Sequence, residues 1–307
     1  MKKKIYLLLI TLLLLVSTTA CGNTQEEEGP VINMYDGTYA EIMIINQMVK
    51  ILVEEHTDAT VVIKDGMTLV NQFREMQGDN PSNDLFLTYD GSTLASVFNK
   101  NPSDVPEGMT LFEYTRQVGE EEYGVTSLDK IGINNTYAIA VTPETAEKYN
   151  LEKVSDLIPI AKELVFGAEP SFFTQETEDR YYAWVEAYGL EFKDAVSIDV
   201  NLKYTAIVNG NFDVTEVYST DGLNKKYDLV ILEEDLGFFP DYYANLVARK
   251  GFFEDFAEVE NLREVLDMLT GQITDAKMVE MSYAVDVDGE SPNDVARAFL
   301  QEKGLID

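Results

Sequence analysis

Asp84-Leu85-Phe86-Leu87-Thr88-Tyr89 and Asp213-Val214-Thr215-Glu216-Val217-Tyr218 are two short strand-like runs built on one plan. Each follows a helical stretch and a Gly-containing turn. Each opens on Asp and reaches Tyr five residues later, at the end of the strand. A Gly-bearing loop follows both: Asp90-Gly91-Ser92 in the first, Ser219-Thr220-Asp221-Gly222 in the second. In parallel α/β sheets, ligands bind beyond the carboxyl ends of strands. Two similar lobes facing each other would set Tyr89 and Tyr218 across one cleft. Two unrelated strands ending in Tyr, a good strand residue, would give the same pattern.

Outward from the first run, the chain alternates. Val31 to Met34 reads as a short strand. Glu41 to Glu55 has apolar residues at helical spacing (Ile42, Ile45, Met48, Val49, Leu52), and Ala59 to Ile63 is β-branched. Thr68 to Met76 reads as a helix and Asp84 to Thr88 as a strand. This β-α-β-α-β order predicts a mostly parallel sheet with helices on both faces. The pattern restarts with a strand at Tyr137 to Val141, a helix opened by Thr142-Pro143-Glu144 and another at Ser155-Asp156. Strands at Leu164 to Ala168, Asp213 to Val217 and Asp228 to Leu232 follow, with a helix at Leu202 to Val208. Ser291-Pro292-Asn293-Asp294 caps a last helix that stops at Gly304.

Composition narrows the function. The 307 residues carry 55 Asp plus Glu against 23 Lys plus Arg, a net charge of -32. One Cys cannot make an internal disulfide, and one His with one Cys falls short of a structural zinc site. Nucleic acid would be repelled, because binding it depends on Lys and Arg meeting phosphates. His56, in the polar run Glu54-Glu55-His56-Thr57-Asp58, reads as a helix end rather than a catalytic base. The excess of acid favours cationic ligands.

The N-terminus reads as an export signal. Lys2, Lys3 and Lys4 precede a twelve-residue apolar run, Ile5 to Val16, short for a membrane span. Small residues then lead to Cys21, the one Cys of the chain. The arrangement resembles a bacterial lipobox, with Thr18 at the position that usually carries Leu. Residues 1–20 are thus expected to be a signal peptide and Cys21 a lipidation site. Residues 21–30, polar and acidic, are expected to be a tether. The roughly 277 residues that follow suffice for two lobes.

Further strings occur in order: Gly132-Ile133-Asn134-Asn135-Thr136-Tyr137-Ala138, Gly167-Ala168-Glu169-Pro170, Tyr218-Ser219-Thr220-Asp221-Gly222 and Gly237-Phe238-Phe239-Pro240-Asp241-Tyr242-Tyr243-Ala244. With the Ser291-Pro292 helix and the ending Phe299-Leu300-Gln301-Glu302-Lys303-Gly304-Leu305, they resemble the substrate-binding lipoproteins of glycine betaine/carnitine/choline ABC importers, from about residue 31 to the end. The resemblance implies an α/β, two-lobed periplasmic-binding-protein fold (type II), each lobe a mostly parallel sheet flanked by helices, with two inter-lobe crossovers. Lobe one would be residues 31–128 and 235–307, and lobe two 129–234. It also implies a cage of four tyrosines around a quaternary ammonium group, on Tyr89, Tyr137, Tyr218 and Tyr242, two from each lobe. Ser92, Asn135 and Asp221 would lie at the same site. The implied protein is a monomeric, non-enzymatic receptor without cofactor or metal. It would be lipid-anchored at the outer face of the bacterial cytoplasmic membrane and serve an ABC permease and its ATPase.

The chemistry fits that carry-over. A trimethylammonium group is charged but has no N–H to donate, so aromatic faces must hold it. Each contact contributes about 0.5–1 kcal/mol when exposed and about 2 when desolvated. Four would give roughly 4–8 kcal/mol before costs, enough for micromolar binding.

Two departures bear on the ligand. The family commonly has Tyr-Thr-Gly-Thr where this chain has Tyr89-Asp90-Gly91-Ser92, and Phe-Thr-Glu-Gln where it has Gly37-Thr38-Tyr39-Ala40. A donor for a ligand carboxylate is lost, and an acid stands beside a cage residue. Two like charges about 5 Å apart at an effective dielectric of about 20 repel by about 3 kcal/mol. Asp90 is therefore expected to favour choline over glycine betaine or carnitine. An enzyme acting on a choline-like substrate would need Asp90 or Asp221 as base, since His56 lies outside every matched string. A sensor using the same cage is a third reading. The chain has no G-x-x-x-x-G-K-[ST] loop, so ATP hydrolysis would belong to a partner.

Overall fold

A computed structural model describes residues 29–173, 180–200 and 202–307. The signal peptide, Cys21 and nearly all of the tether lie outside the described residues. Among the described residues ten strands form two separate groups, joined by two passages of the chain.

The first group holds β1 (Val31–Tyr35), β2 (Thr60–Lys64), β3 (Leu85–Tyr89), β4 (Thr126–Asn134) and β10 (Tyr243–Ala248). β1 pairs with β2 in parallel, and β10 lies between β3 and β4, antiparallel to both. The second holds β5 (Tyr137–Val141), β6 (Val165–Ala168), β7 (Asp194–Ser197), β8 (Val214–Tyr218) and β9 (Val230–Leu232), in the order β7-β6-β8-β5-β9.

The paired aspartates of the two opening runs explain why the halves look alike. Asp84, just before β3, donates its N–H to Asn33 O (2.8 Å) and accepts the Asn33 N–H on Oδ2 (2.8 Å). Asp213, just before β8, does the same with Val165: N–H to O at 2.8 Å and N–H to Oδ2 at 2.9 Å. Each Asp ties the start of its strand to the neighbouring strand, β1 or β6, and so fixes the register that carries Tyr89 and Tyr218 to the far end.

The two-lobed α/β architecture stands, but the sheets are mixed rather than mostly parallel. The antiparallel strands are β5 and β10, the first strands after each passage between lobes. A strand arriving from the other lobe needs no helical crossover within its own sheet, so nothing imposes the parallel direction. β4 also pairs with β10, from Tyr243 opposite Asn134 to Ala248 opposite Thr126. The first sheet therefore extends to residue 134, past the 128/129 boundary expected from sequence. The chain leaves this sheet after Asn134; on its return Glu233, Glu234, Asp235 and Phe239 still pair or pack with the second group before β10 begins at Tyr243.

The helix Ala40–His56 covers the first lobe's core, burying Ile44, Ile45, Met48, Val49 and Leu52. Trp184, wholly buried, anchors an aromatic cluster with Phe166, Phe192 and Phe239 in the second. The expected caps are present: Thr142 Oγ1 accepts from Thr145 N–H and Ser291 Oγ from Asp294 N–H. His56 Nε2 bonds the exposed carbonyl of Leu305, remote from the cleft.

Candidate functional site

β3 ends on Tyr89, β8 ends on Tyr218 and β5 begins on Tyr137. Antiparallel pairing of β5 and β8 puts Tyr137 directly opposite Tyr218, with ring centres 5.4 Å apart and planes at 36°. Tyr242 stands just before β10. Its N–H donates to Asn134 Oδ1 (2.7 Å), and its carbonyl accepts the Asn135 N–H (3.0 Å). Its ring meets that of Tyr137 edge-on, 6.3 Å away. The ring also lies on Gly91, where a Cβ would come within 1.8 Å of Cε1, so only Gly allows this approach.

All four tyrosines line one cavity of about 570 Å³ between the lobes, two from each sheet. Tyr39 adds a fifth ring, 6.3 Å from that of Tyr218. The lobes meet over the cavity. Thr220 of the second donates to Glu41 of the first (2.7 Å), and Gly222 packs against the backbone of Tyr283.

The wall is acidic. Glu41, Asp221 and Asp286 line it, and among the described residues no Lys, Arg or His does. Glu41 Oε1 accepts from Tyr89 Oη–H and from Asn135 Nδ2 (3.2 Å), and Oε2 from Thr220. Burial pushes its carboxyl up to about 7; the bonds from Thr220 and Asn135 oppose this, and the charges of Asp221 and Asp275 add to it. Asp221 accepts from Tyr204 Oη–H (2.5 Å) and caps the short helix Gly222–Lys226 through Leu223 N–H. Burial, and then the charge of Asp221, raise Asp286.

Behind Tyr218 lies a buried ionic cluster. Lys203 Nζ is fully enclosed, 3.0 Å from both oxygens of Glu216 and 3.4 Å from Glu169. Tyr218 Oη–H donates to Glu169 Oε1 (2.8 Å), and Lys203 Nζ stands 4.7 Å from the centre of the Tyr218 ring. The Arg180 guanidinium stands 4.5 Å from the centre of the Tyr137 ring. A cation thus lies against each of the two second-lobe rings.

Tyr89, Tyr137, Tyr218, Tyr242, Ser92, Asn135 and Asp221 are thus brought to one cavity, together with Gly37, Thr38, Tyr39 and Ala40. Asp90 is not among the lining residues, which corrects the expectation that it faces a ligand's tail. It is buried, and Oδ1 accepts from the N–H groups of Gly91 (2.7 Å) and Tyr243 (2.9 Å). At the start of a helix those donors compete successfully for the carboxylate. Sequence reasoning missed Glu41, Tyr39 and Asp286. Glu41 was findable: it falls on the helix stripe of Ile45, Met48 and Leu52, so an acid sits on the buried face.

A cleft between two α/β lobes, lined by aromatic rings and carboxylates, is the form of a solute-binding protein. Residues 31–302 match the family model described as the substrate-binding domain of ABC-type glycine betaine transport systems, and the chain belongs to that family. It is 32% identical over 270 residues to a carnitine transport binding protein of Listeria monocytogenes, covering 87% of this chain and 85% of that one. It is 34% identical over 222 residues to an ergothioneine transport permease/ergothioneine binding protein of Helicobacter pylori. That match covers 72% of this chain but only 38% of the longer relative. A crystal structure of a glycine betaine/carnitine/choline ABC transporter protein superposes with a TM-score of 0.78 at 29% identity, over 91% of this chain and all of that one. The protein is the extracytoplasmic solute-binding component of an ABC importer.

Proposed function

We propose that the protein captures a quaternary ammonium compound in the box formed by Tyr89, Tyr137, Tyr218 and Tyr242 and hands it to a permease, with choline as the favoured ligand. The observation that carries this is the cavity itself, lined by six tyrosines, the four of the box among them, and three carboxylates, with no basic residue among the described lining residues. Rings attract a cation that cannot donate, and the carboxylates add to that attraction. A zwitterion such as glycine betaine or carnitine would bring a second charge that no base among the described lining residues meets. In this reading lobe one is residues 31–134 and 243–307, and lobe two extends from 137 through Phe239, which stacks on Trp184. The chain acts as a monomer held at the outer face of the membrane through Cys21.

The volume, about 570 Å³, exceeds what a trimethylammonium head requires and lies within the range of pockets for larger small molecules. That favours, as a second reading, a bulkier compound of the same head group, such as ergothioneine. A thermal-shift panel of tetramethylammonium, choline, glycine betaine, carnitine and ergothioneine tests both. Stabilisation by tetramethylammonium and most by choline is expected. No shift with any trimethylammonium compound would refute the aromatic-box reading.

A further inference from the structure

Glu41 is the most heavily used carboxylate in the cavity, and its contacts have an unusual balance. It is 6% exposed, yet its partners are two hydroxyls and one amide, all neutral. Enclosing an acid without a cation is costly, and a glutamine could accept the bonds from Tyr89 and Asn135 on its one oxygen and donate its Nε2–H to the Thr220 hydroxyl in place of the third. A carboxylate has about four acceptor sites. Oε1 takes two donors, from Tyr89 and Asn135, and Oε2 takes one, from Thr220, so one acceptor site on Oε2 remains. Glu41 lines the cavity, and Tyr89, which donates to it, is itself a ring of the box. Its position in the first turn of the helix Ala40–His56 favours the charged form locally.

Resting on the aromatic-box reading, we propose that Glu41 selects the ligand by its tail. Its carboxylate accepts a hydrogen bond from a tail that donates, such as a hydroxyl or an N–H, and repels a tail that ends in a carboxylate. Because the same residue joins the lobes through Thr220, a repelled tail opposes closure as well as contact.

Protonation then changes the preference. Glu41 gains its proton as pH falls through about 7, and a protonated carboxyl can donate to a ligand carboxylate. The titratable groups facing it are Tyr89 from β3, Asp221 from the second lobe and Asp275 from the helix Asp275–Asp286. Asp90 titrates in the same range but does not line the cavity. A Glu41→Gln variant therefore isolates the Glu41 contribution.

The test is calorimetry on wild type and Glu41→Gln with tetramethylammonium, choline and glycine betaine, at about pH 8 and about pH 6. Tetramethylammonium has no tail, so it reports on the box and on the general loss of one negative charge. At the higher pH, Glu41→Gln should raise the betaine-to-choline affinity ratio by about tenfold or more. In wild type the ratio should rise in the same direction on going to the lower pH, and in Glu41→Gln it should stay flat. If tetramethylammonium binds but the ratio is the same in both proteins, Glu41 is only a strut between lobes and the proposal fails. If tetramethylammonium does not bind wild type, the box reading fails and this proposal with it. Should Glu41→Gln not fold, a wild-type ratio that is constant between the two pH values is sufficient to overturn the proposal.

Discussion

Gly91→Ala adds one carbon, removes no ring and should still damage binding. Gly91 lies in the helix Asp90–Ser96. Its added Cβ would sit 1.8 Å from Tyr242 Cε1, 2.1 Å from Cδ1 and 2.6 Å from Cζ. Carbon atoms pack at about 3.5–4 Å, so the ring must retreat by about 2 Å. Tyr242 is 6% exposed, which places its attraction for a cation near the desolvated value of about 2 kcal/mol. Losing that contact weakens binding about 30-fold. Helix propensity works the other way, because Ala is favoured over Gly by about 1 kcal/mol, so unfolding is not the expected cause. Calorimetry with tetramethylammonium on wild type, Gly91→Ala, Tyr242→Ala and the double variant measures the coupling. Each single change should cost about 30-fold, and the double variant should bind no worse than Tyr242→Ala. Gly91→Ala binding within about twofold of wild type, or a double variant weaker by about 1,000-fold, would refute the placement of Tyr242 in the box.

Three further outcomes are expected. Tyr137→Ala should weaken choline by about 2 kcal/mol, while Tyr137→Phe keeps the ring and should lose far less; equal losses in titration calorimetry would mean that the hydroxyl matters more than the ring face. Lys203→Met should destabilise the fold by about 3–5 kcal/mol, because Glu216 and Glu169 are left buried without their cation. Glu216 is already raised to about 7, chiefly by burial, and loses the opposing Lys203 charge in this variant. A folded pKa above the unfolded one contributes stability at low pH, so the deficit should shrink as pH falls below about 7; urea melts in which it grows would contradict this. Cys21→Ala should leave the protein uncleaved or release it from membranes with choline binding intact, as fractionation would show; a processed variant that stays on the membrane would rule out the lipid anchor.

Much of the architecture was legible because it rests on local rules. Strand runs ending in Tyr89 and Tyr218, and helix starts at Thr142 and Ser291, follow from side-chain chemistry within a few residues. The similarity of the two Asp-to-Tyr runs also pointed to two lobes, since each Asp bonds the strand beside it in the same way. The order of motifs carried all four tyrosines to one cavity. Local rules said little about how strands pair. β10 was unread, and with it the antiparallel centre of the first sheet and the assignment of β4 to lobe one.

Residue type and spacing by themselves determined an acidic α/β chain with tyrosines at strand ends, and the resemblance carried by the ordered motifs implied a two-lobed receptor. Which buried acid lines the cleft was decided by tertiary structure alone. Asp90 and Glu41 are both buried acids in the first turn of a helix next to the cleft. Asp90 turns to the N–H groups of Gly91 and Tyr243, and the second of these is supplied by the returning β10 strand, distant in sequence. Glu41 finds its donors on β3, at the crossing between lobes and in the second lobe. A charged side chain goes where donors converge, and that convergence exists only after the chain has crossed between the lobes and come back.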